Sequence, residues 1–196
     1  MRNAMLLTVL IVLGMFYTTS SRATLIETTA ITASTTLGQF AMFPYLTIDK
    51  LNDGVIGDSP PYNGYASGFA DTSGLITLSL DQPYDLTSFS LWNDINLDDE
   101  GVRTFSLNFI DSEGFSLGTT AVLNAVSQFD AQVYDFGQTF VGVKTVEFNV
   151  LSSSLQIEIR ELAFNGSATF AVPEPGTLLM FCAGMLGLVR FTRRRL

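Results

Sequence analysis

What this chain lacks limits its chemistry. It has no histidine and a single cysteine, Cys182. The usual general base and the commonest transition-metal ligand are therefore missing. A lone cysteine allows no intrachain disulfide, zinc cluster or Cys–His nucleophile pair. Carboxylates remain, and they can hold a hard cation through oxygen or work in pairs on a glycosidic bond. The triplet Asn52-Asp53-Gly54 in "KLNDG" is a tight, oxygen-rich loop of the kind Ca²⁺ takes, with Asp58 a further candidate. The run "NDINLDDEG", Asn93 to Gly101, places Asp94, Asn96 and Asp98 as an EF-hand loop would. Its sixth position is Asp99 where that loop needs glycine, and its twelfth is Phe105 where it needs glutamate, so a solvated acidic loop is expected. Trp92, Tyr62 and Tyr65, at strand ends or in a long loop, could stack on sugar rings; ordinary rim packing is the alternative. Nothing in the sequence brings two carboxylates together in a cleft.

These residues need a frame, and the hydrophobic pattern supplies one. From Leu25 to Asn165 the period is two, the signature of half-buried strands. "LITLSL" turns Ile76, Leu78 and Leu80 to one face, and "SFSLW" does so with Phe89 and Leu91. "TFSLNFI" aligns Phe105, Leu107 and Phe109, and "TVEFNV" aligns Val146, Phe148 and Val150. "LQIEIRELAF" aligns Leu155, Ile157 and Ile159. "TTAVLNAV" and "AQVYDF" read as further strands, and the Thr-rich "LIETTAITASTT" as a first strand at an edge. Turn residues separate the runs at Asp71 to Gly74, Asp81-Gln82-Pro83, Asp111 to Gly114 and Phe136-Gly137. About eight short strands and no internal helix predict an all-β fold, an antiparallel β-sandwich over residues 24–166.

Charge divides the chain differently. Six of the 10 basic residues lie at its ends: Arg2, Arg22, Arg190, Arg193, Arg194 and Arg195. Between Thr24 and Val172, four basic residues face 18 acidic ones, a balance of −14. Such a surface repels phosphate backbones, which argues against nucleic acid. The N-terminus has a charged start, an apolar run from Met5 to Tyr17 and a small-x-small site at Ser21-Arg22-Ala23. This is the pattern of a Sec-type signal peptide over 1–23, an uncleaved anchor being the alternative. After a short linker, 167–171, the chain closes on "VPEPGTLLMFCAGMLGLVRFTRRRL". Thr177 to Val189 is apolar but short for a transmembrane helix, and snorkelling arginines narrow the gap. The arginine cluster would stay cytoplasmic and leave the acidic body outside.

That last stretch, 172–196, resembles the PEP-CTERM sorting signal of Gram-negative bacteria. Pro173-Glu174-Pro175, the short span and Arg193-Arg194-Arg195 match in order and position. The resemblance implies export, an inner-membrane intermediate and processing by an exosortase, in proteins that accompany exopolysaccharide and biofilm. Physically, the two prolines keep the triplet extended and accessible.

The body resembles the galactose-binding-like, or discoidin-type, jelly roll. The order of "KLNDG", a long polar loop, "ITLSLDQPYDLTSFSLWND", "GVRTFSLNFIDSEG", "VKTVEFNVLSSS" and "IEIRELAFNG" carries it. The tryptophan often found after the DG turn is absent, and the ligand-binding loop residues of lectin-like members do not map onto this sequence. The resemblance implies that Asp53 and Glu161 occupy positions of a structural Ca²⁺. Without it, Asp53 would cap a turn and Glu161 would be a solvated strand residue. The expectation is a non-enzymatic surface or extracellular protein that binds or structures polysaccharide. A secreted glycosidase-like enzyme and a protein-binding adhesin are the alternatives.

Overall fold

The computed structural model describes residues 23–57, 63–95 and 100–169. The expected leader up to residue 22, the tail with its Pro-Glu-Pro triplet and arginines, and the candidates Asp58 and Tyr62 lie outside these. Within them the chain forms β1 (Thr24–Leu25), β2 (Ile31–Thr35), β3 (Tyr65–Ala66), β4 (Gly74–Asn93), β5 (Val102–Ile110), β6 (Ser116–Thr119), β7 (Leu123–Asn124), β8 (Gln132–Ser153) and β9 (Glu158–Ala168). All strand pairs between these elements are antiparallel. The helical content described is two 3-10 turns, Thr28–Ala30 and Ile48–Lys50.

Two strands, β4 and β8, make the sandwich. Hydrogen bonding runs β1-β9-β4-β8-β5-β6, with β2 on β4, β3 on β9 and β7 on β5. β4 pairs with β8 over Gly74 to Ser79 and again over Tyr84 to Leu91, with the register broken between. The first half of β4 carries β2 on its other side, and the second half carries β9. The second half of β8 carries β5. The network therefore folds over at the break into two facing layers. Phe89, in the second half of β4, meets Phe105 of β5 and Phe148 of β8 across the interior, with ring centroids 5.7 and 5.6 Å apart. Tilted and edge-on aromatic pairs of this kind add to the burial term that holds the layers.

The alternating residues of the sequence line this interior. Ile76, Leu78, Leu80, Leu91, Phe105, Leu107, Phe109, Val146, Phe148 and Val150 are all buried. Three expectations change. Asp81-Gln82-Pro83 ends no strand but bends β4, because Pro83 sits where the ladder is already interrupted. Phe136-Gly137 likewise lies inside β8, which joins "AQVYDF" to "VKTVEFNV" in one strand of 22 residues. The Thr-rich first segment splits into β1, a 3-10 turn and β2, and β2 pairs with β4 alone.

The polar face of β9 is also covered. Glu158, Arg160 and Glu161 are buried along with Ile157 and Ile159. β3 pairs with Tyr65 opposite Ile159, and Gly64 before it has φ +128°. A Cβ at Gly64 would lie 2.2 Å from the Ile159 carbonyl oxygen, so only glycine lets the loop approach β9 this closely.

Candidate functional site

Two groups of polar residues flank β9. In the first, the loop after Ile48–Lys50 is clamped to the strand. Leu162 donates its N–H to the Leu51 carbonyl at 2.8 Å. The buried Asn52 amide donates to the carbonyls of Ile31 (2.7 Å) and Thr28 (3.2 Å). Gly54, at φ +80°, then turns its N–H toward Glu161 Oε1 at 3.4 Å. Asp53 and Glu161 are thus brought together from positions more than a hundred residues apart.

Glu161 is 2% exposed, so it is buried and not solvated. Its Oε2 has no hydrogen-bond partner. Burial pushes its carboxyl up to about 8; the Gly54 N–H opposes this and the Asp53 charge adds to it. Asp53 Oδ1 accepts from Val55 N and from Asn63 Nδ2, each at 2.9 Å. Asp53 Oδ2 pairs with Lys50 Nζ at 3.3 Å. An orphaned buried carboxylate oxygen beside a second carboxylate fits a hard cation. Among the described residues no three His, Cys, Asp or Glu side chains converge as a metal cluster. A cation here would need carbonyl and amide oxygens as well, as Ca²⁺ commonly does.

The second group was not legible in the sequence. Glu158 is 9% exposed and its carboxyl is pushed up to about 8, first by burial and then by the charges of Asp94 and Glu100. Gln156 Nε2 donates to Glu158 Oε2 at 3.1 Å, while Gln156 Oε1 and the hydroxyls of Ser153 and Ser154 have no partner. Next along the strand, Arg160 is 1% exposed. Its guanidinium donates to the carbonyls of Asn93 (2.8 Å), Gly57 (3.3 Å), Gln128 (3.0 Å) and Phe129 (2.7 Å), and lies 5.7 Å from the Phe129 ring centre. Asn93 in turn spans Val102 N, Val102 O and Val126 O. Together they tie three connections at this end of the sandwich. The sequence did carry one signal, an arginine in a body with four basic residues. A charge that rare, set in an apolar strand, marks a buried role.

The candidate aromatic residues separate. Tyr65 is 2% exposed and donates its hydroxyl to the Gly38 carbonyl at 2.8 Å, so it is a core residue with no face for a sugar. Trp92 is half-buried opposite Glu161. Rings gather instead in a loop before β3, where Phe43 and Tyr45 are exposed and Phe40 is half-buried. Phe40, Phe43 and Tyr45 lie in a chain of ring contacts, 5.4 and 5.8 Å between centroids, with Met42 beside them 73% exposed. The loop is fixed by the buried Leu46, by Phe40 N to Ala66 O, by Ala66 N to Leu46 O, and by Gln39 Nε2 to Pro44 O.

Known proteins place both parts of the chain. The PEP-CTERM protein-sorting motif matches residues 171–195. No curated protein sequence matches the chain. Solved structures do match its fold. The family 32 carbohydrate-binding module of C. perfringens NanJ, solved in complex with galactose, superposes with a TM-score of 0.60 at 14% identity, over 74% of this chain and 99% of that one. The C-terminal domain of a Bacteroides fragilis chitobiase gives 0.61 at 12% identity, over 75% and 100%. An F5/8 type C domain from the same organism gives 0.56 at 14%, over 76% and 98%. The chain thus carries a PEP-CTERM protein-sorting motif at its C-terminus, behind an all-β body with the fold of family 32 carbohydrate-binding modules and F5/8 type C, galactose-binding-like domains.

Proposed function

We propose that this is an exported, non-enzymatic protein that binds polysaccharide outside a Gram-negative cell and helps structure a biofilm matrix. The Sec machinery would export it. An exosortase would then process its tail from an inner-membrane intermediate and leave it at the cell surface or in the matrix. The sorting motif supports export. The observation that carries the binding is the ring array Phe40–Phe43–Tyr45, held rigid on a fold that several carbohydrate-binding modules share. Aromatic faces stack on the C–H faces of pyranose rings, and a fixed loop loses little entropy in doing so. An acidic body favours neutral glycans over polyanions.

Asp53 and Glu161 would hold a structural Ca²⁺, which would satisfy Glu161 Oε2 and pin the 51–54 loop to β9. Its contribution is to stability, and the ring array is on a neighbouring loop. The test of the binding reading is affinity electrophoresis of the purified chain through gels containing neutral polysaccharide. The chain should be retarded, and Phe43→Ala with Tyr45→Ala should weaken binding about tenfold or more, as loss of stacking rings does. Equal migration of wild type and double variant through every gel that retards the wild type would overturn the assignment to this loop.

A further inference from the structure

A cleft lies across the same layer from the Phe40–Tyr45 loop. Its floor is made of aromatic rings. Phe109 stacks on Phe140 at 3.9 Å between centroids, Phe136 meets both at 5.0 and 5.6 Å, and Tyr134 meets Phe105 edge-on at 5.1 Å. Phe140 is buried, but Tyr134 and Phe136 are half-exposed. The rim is polar, with Thr119 on one side and Asp135 and Gln138 on the other. The cleft encloses about 320 Å³, at the lower end of small-molecule sites, and is open to solvent.

The backbone departs from regular sheet to make it. From Leu86 to Ser88, β4 advances two residues while β8 advances five, from Asp135 to Phe140. The surplus forms a bulge, with Gly137 at φ +67° and its N–H held by Asp135 Oδ1 at 2.7 Å. Bulges of this kind re-aim side chains at the cost of ladder hydrogen bonds. On the other wall, Gly118 lies so close to Phe140 that a Cβ would be 3.0 Å from the ring. Thr120 donates its N–H to the Leu107 carbonyl at 2.9 Å, and its hydroxyl oxygen accepts from the Leu107 N–H at 3.0 Å. The Tyr134 hydroxyl donates to Asn124 O at 2.9 Å. Both walls are therefore held in place without a ligand.

We infer that this cleft is a second glycan subsite, which makes the chain bivalent toward a single polysaccharide; the inference rests on the polysaccharide-binding reading above. An aromatic floor with an amide, hydroxyl and carboxylate rim suits a pyranose ring, which is apolar on its faces and polar at its edge. A purely lipidic or hydrophobic occupant would cover the Gln138 amide and the Asp135 carboxylate and cost them their contact with water. The charged group at the rim is acidic, so the ligand is a neutral or amino-substituted glycan and not a uronate. The two subsites are distinct. The Phe40–Tyr45 loop bonds to β3, and the layer runs β3-β9-β4-β8 to the cleft. Three strand spacings put them about 14 Å or more apart, too far for one ring to bridge. One chain could then engage two segments of a polymer, and tethering makes the second engagement intramolecular.

The experiment is calorimetry of the purified full chain with cellotetraose, chitotetraose and galactotetraose, and with alginate as a polyanion. Two sites should fill with at least one neutral tetrasaccharide and none with alginate. Gln138→Trp, which fills the cleft, should leave one site and weaken binding to the matching long polymer at least tenfold. Phe43→Ala with Tyr45→Ala should also leave one site, and the triple variant none. If Gln138→Trp fails to fold, Gln138→Ala should still weaken the second site severalfold. Two sites in wild type and in every cleft variant, or a single site abolished by the Phe43/Tyr45 change alone, would overturn the cleft and leave the binding function standing. No binding of any tetrasaccharide would remove both. A fall to one site accompanied by a change from dimer to monomer in Gln138→Trp would mean that a second copy occupies the cleft, and would also overturn the inference.

Discussion

Glu158 and Glu161 stand three residues apart on one strand, both buried and both pushed up to about 8, yet they are not alike. Glu161 has one acidic neighbour, Asp53, whose charge is already met by Lys50, and it keeps an oxygen with no partner. Glu158 sits among Asp94 and Glu100 and is bonded by the Gln156 amide. On the proposed reading the first receives a cation, while burial and the acidic neighbours of the second favour its protonated form. Burial alone would raise both; the neighbours decide what relieves each. Arg160 lies between them and is committed to backbone carbonyls from four residues.

The most damaging way to break this comparison is to remove what separates its halves. Arg160→Met keeps the apolar stem and deletes the guanidinium. The Asn93 carbonyl then loses its donor in a buried setting, and those of Gly57, Gln128 and Phe129 lose theirs in part-buried ones. Stranded buried acceptors and a lost charged donor together cost about 3–5 kcal/mol. The melting temperature should fall by about 10 °C or more in thermal denaturation. A fall of only a degree or two would mean that water replaces the guanidinium and that this end of the sandwich is not tied by Arg160.

A smaller effect should separate the two glutamates directly. Ca²⁺ bound by the native state raises stability by mass action, about 2.7 kcal/mol at a hundredfold excess over Kd. Glu161→Gln or Asp53→Ala should abolish that rise, and Glu158→Gln should leave it intact. The pH dependence in chelator involves both, because both carboxyls are raised to about 8. A carboxyl whose folded pKa is raised binds its proton more tightly in the native state than in the unfolded one. Stability is then fully present below about 4.5 and is lost as pH rises through about 8. Glu158→Gln, neutral at every pH, should flatten that decline between pH 5 and 8 in chelator. A Ca²⁺ shift that survives Glu161→Gln, or an unchanged pH slope in Glu158→Gln, would erase the distinction.

The same strand shows what could be read without a structure. Ile159, and Ile157 just before the strand, follow the period of two because that pattern is local and one layer always covers it. Glu158 and Arg160 alternate with them, and nothing in that alternation shows that they too are buried. What covers them is non-local: β3, the 51–54 loop, and the segments at Gly57 and Gln128 that Arg160 collects. Tyr65 misled for the same reason, since a tyrosine in a polar loop gives no sign that Gly38 will take its hydroxyl. The bends inside β4 and β8 look like turns in sequence because a strand that changes layers uses the same Pro and Gly chemistry as one that ends. The Asp53–Glu161 encounter was legible through family resemblance alone, as nothing in the spacing of two residues so far apart implies contact.

The smallest expected effect concerns Lys50, and it sharpens what the cation would meet. Lys50 Nζ lies 3.3 Å from Asp53 Oδ2, in a pair open enough to water that its own worth is under about 1 kcal/mol. Lys50→Met should therefore change the melting temperature in chelator by no more than a few degrees. Its effect on Ca²⁺ is of the opposite sign to a simple loss. The ammonium already satisfies one oxygen that a cation would need, and it repels a second positive charge a few ångströms away. At about 4 Å in bulk water a unit charge and a divalent cation repel by about 2 kcal/mol, of which screening by salt and movement of the exposed ammonium leave about 1 kcal/mol or less, roughly two- to fivefold in affinity. Ca²⁺ should bind Lys50→Met about two- to fivefold more tightly at low salt, and the gain should shrink as ionic strength screens the pair. Glu158→Gln, whose carboxyl faces Asp94 and Glu100, should show no such gain. Calcium titrations of the two variants beside wild type decide it. Equal or weaker affinity in Lys50→Met would mean that the cation does not approach Asp53 Oδ2. The orphaned oxygen of Glu161 would then be waiting for a proton, as Glu158 does, and the two halves of the strand would be the same after all.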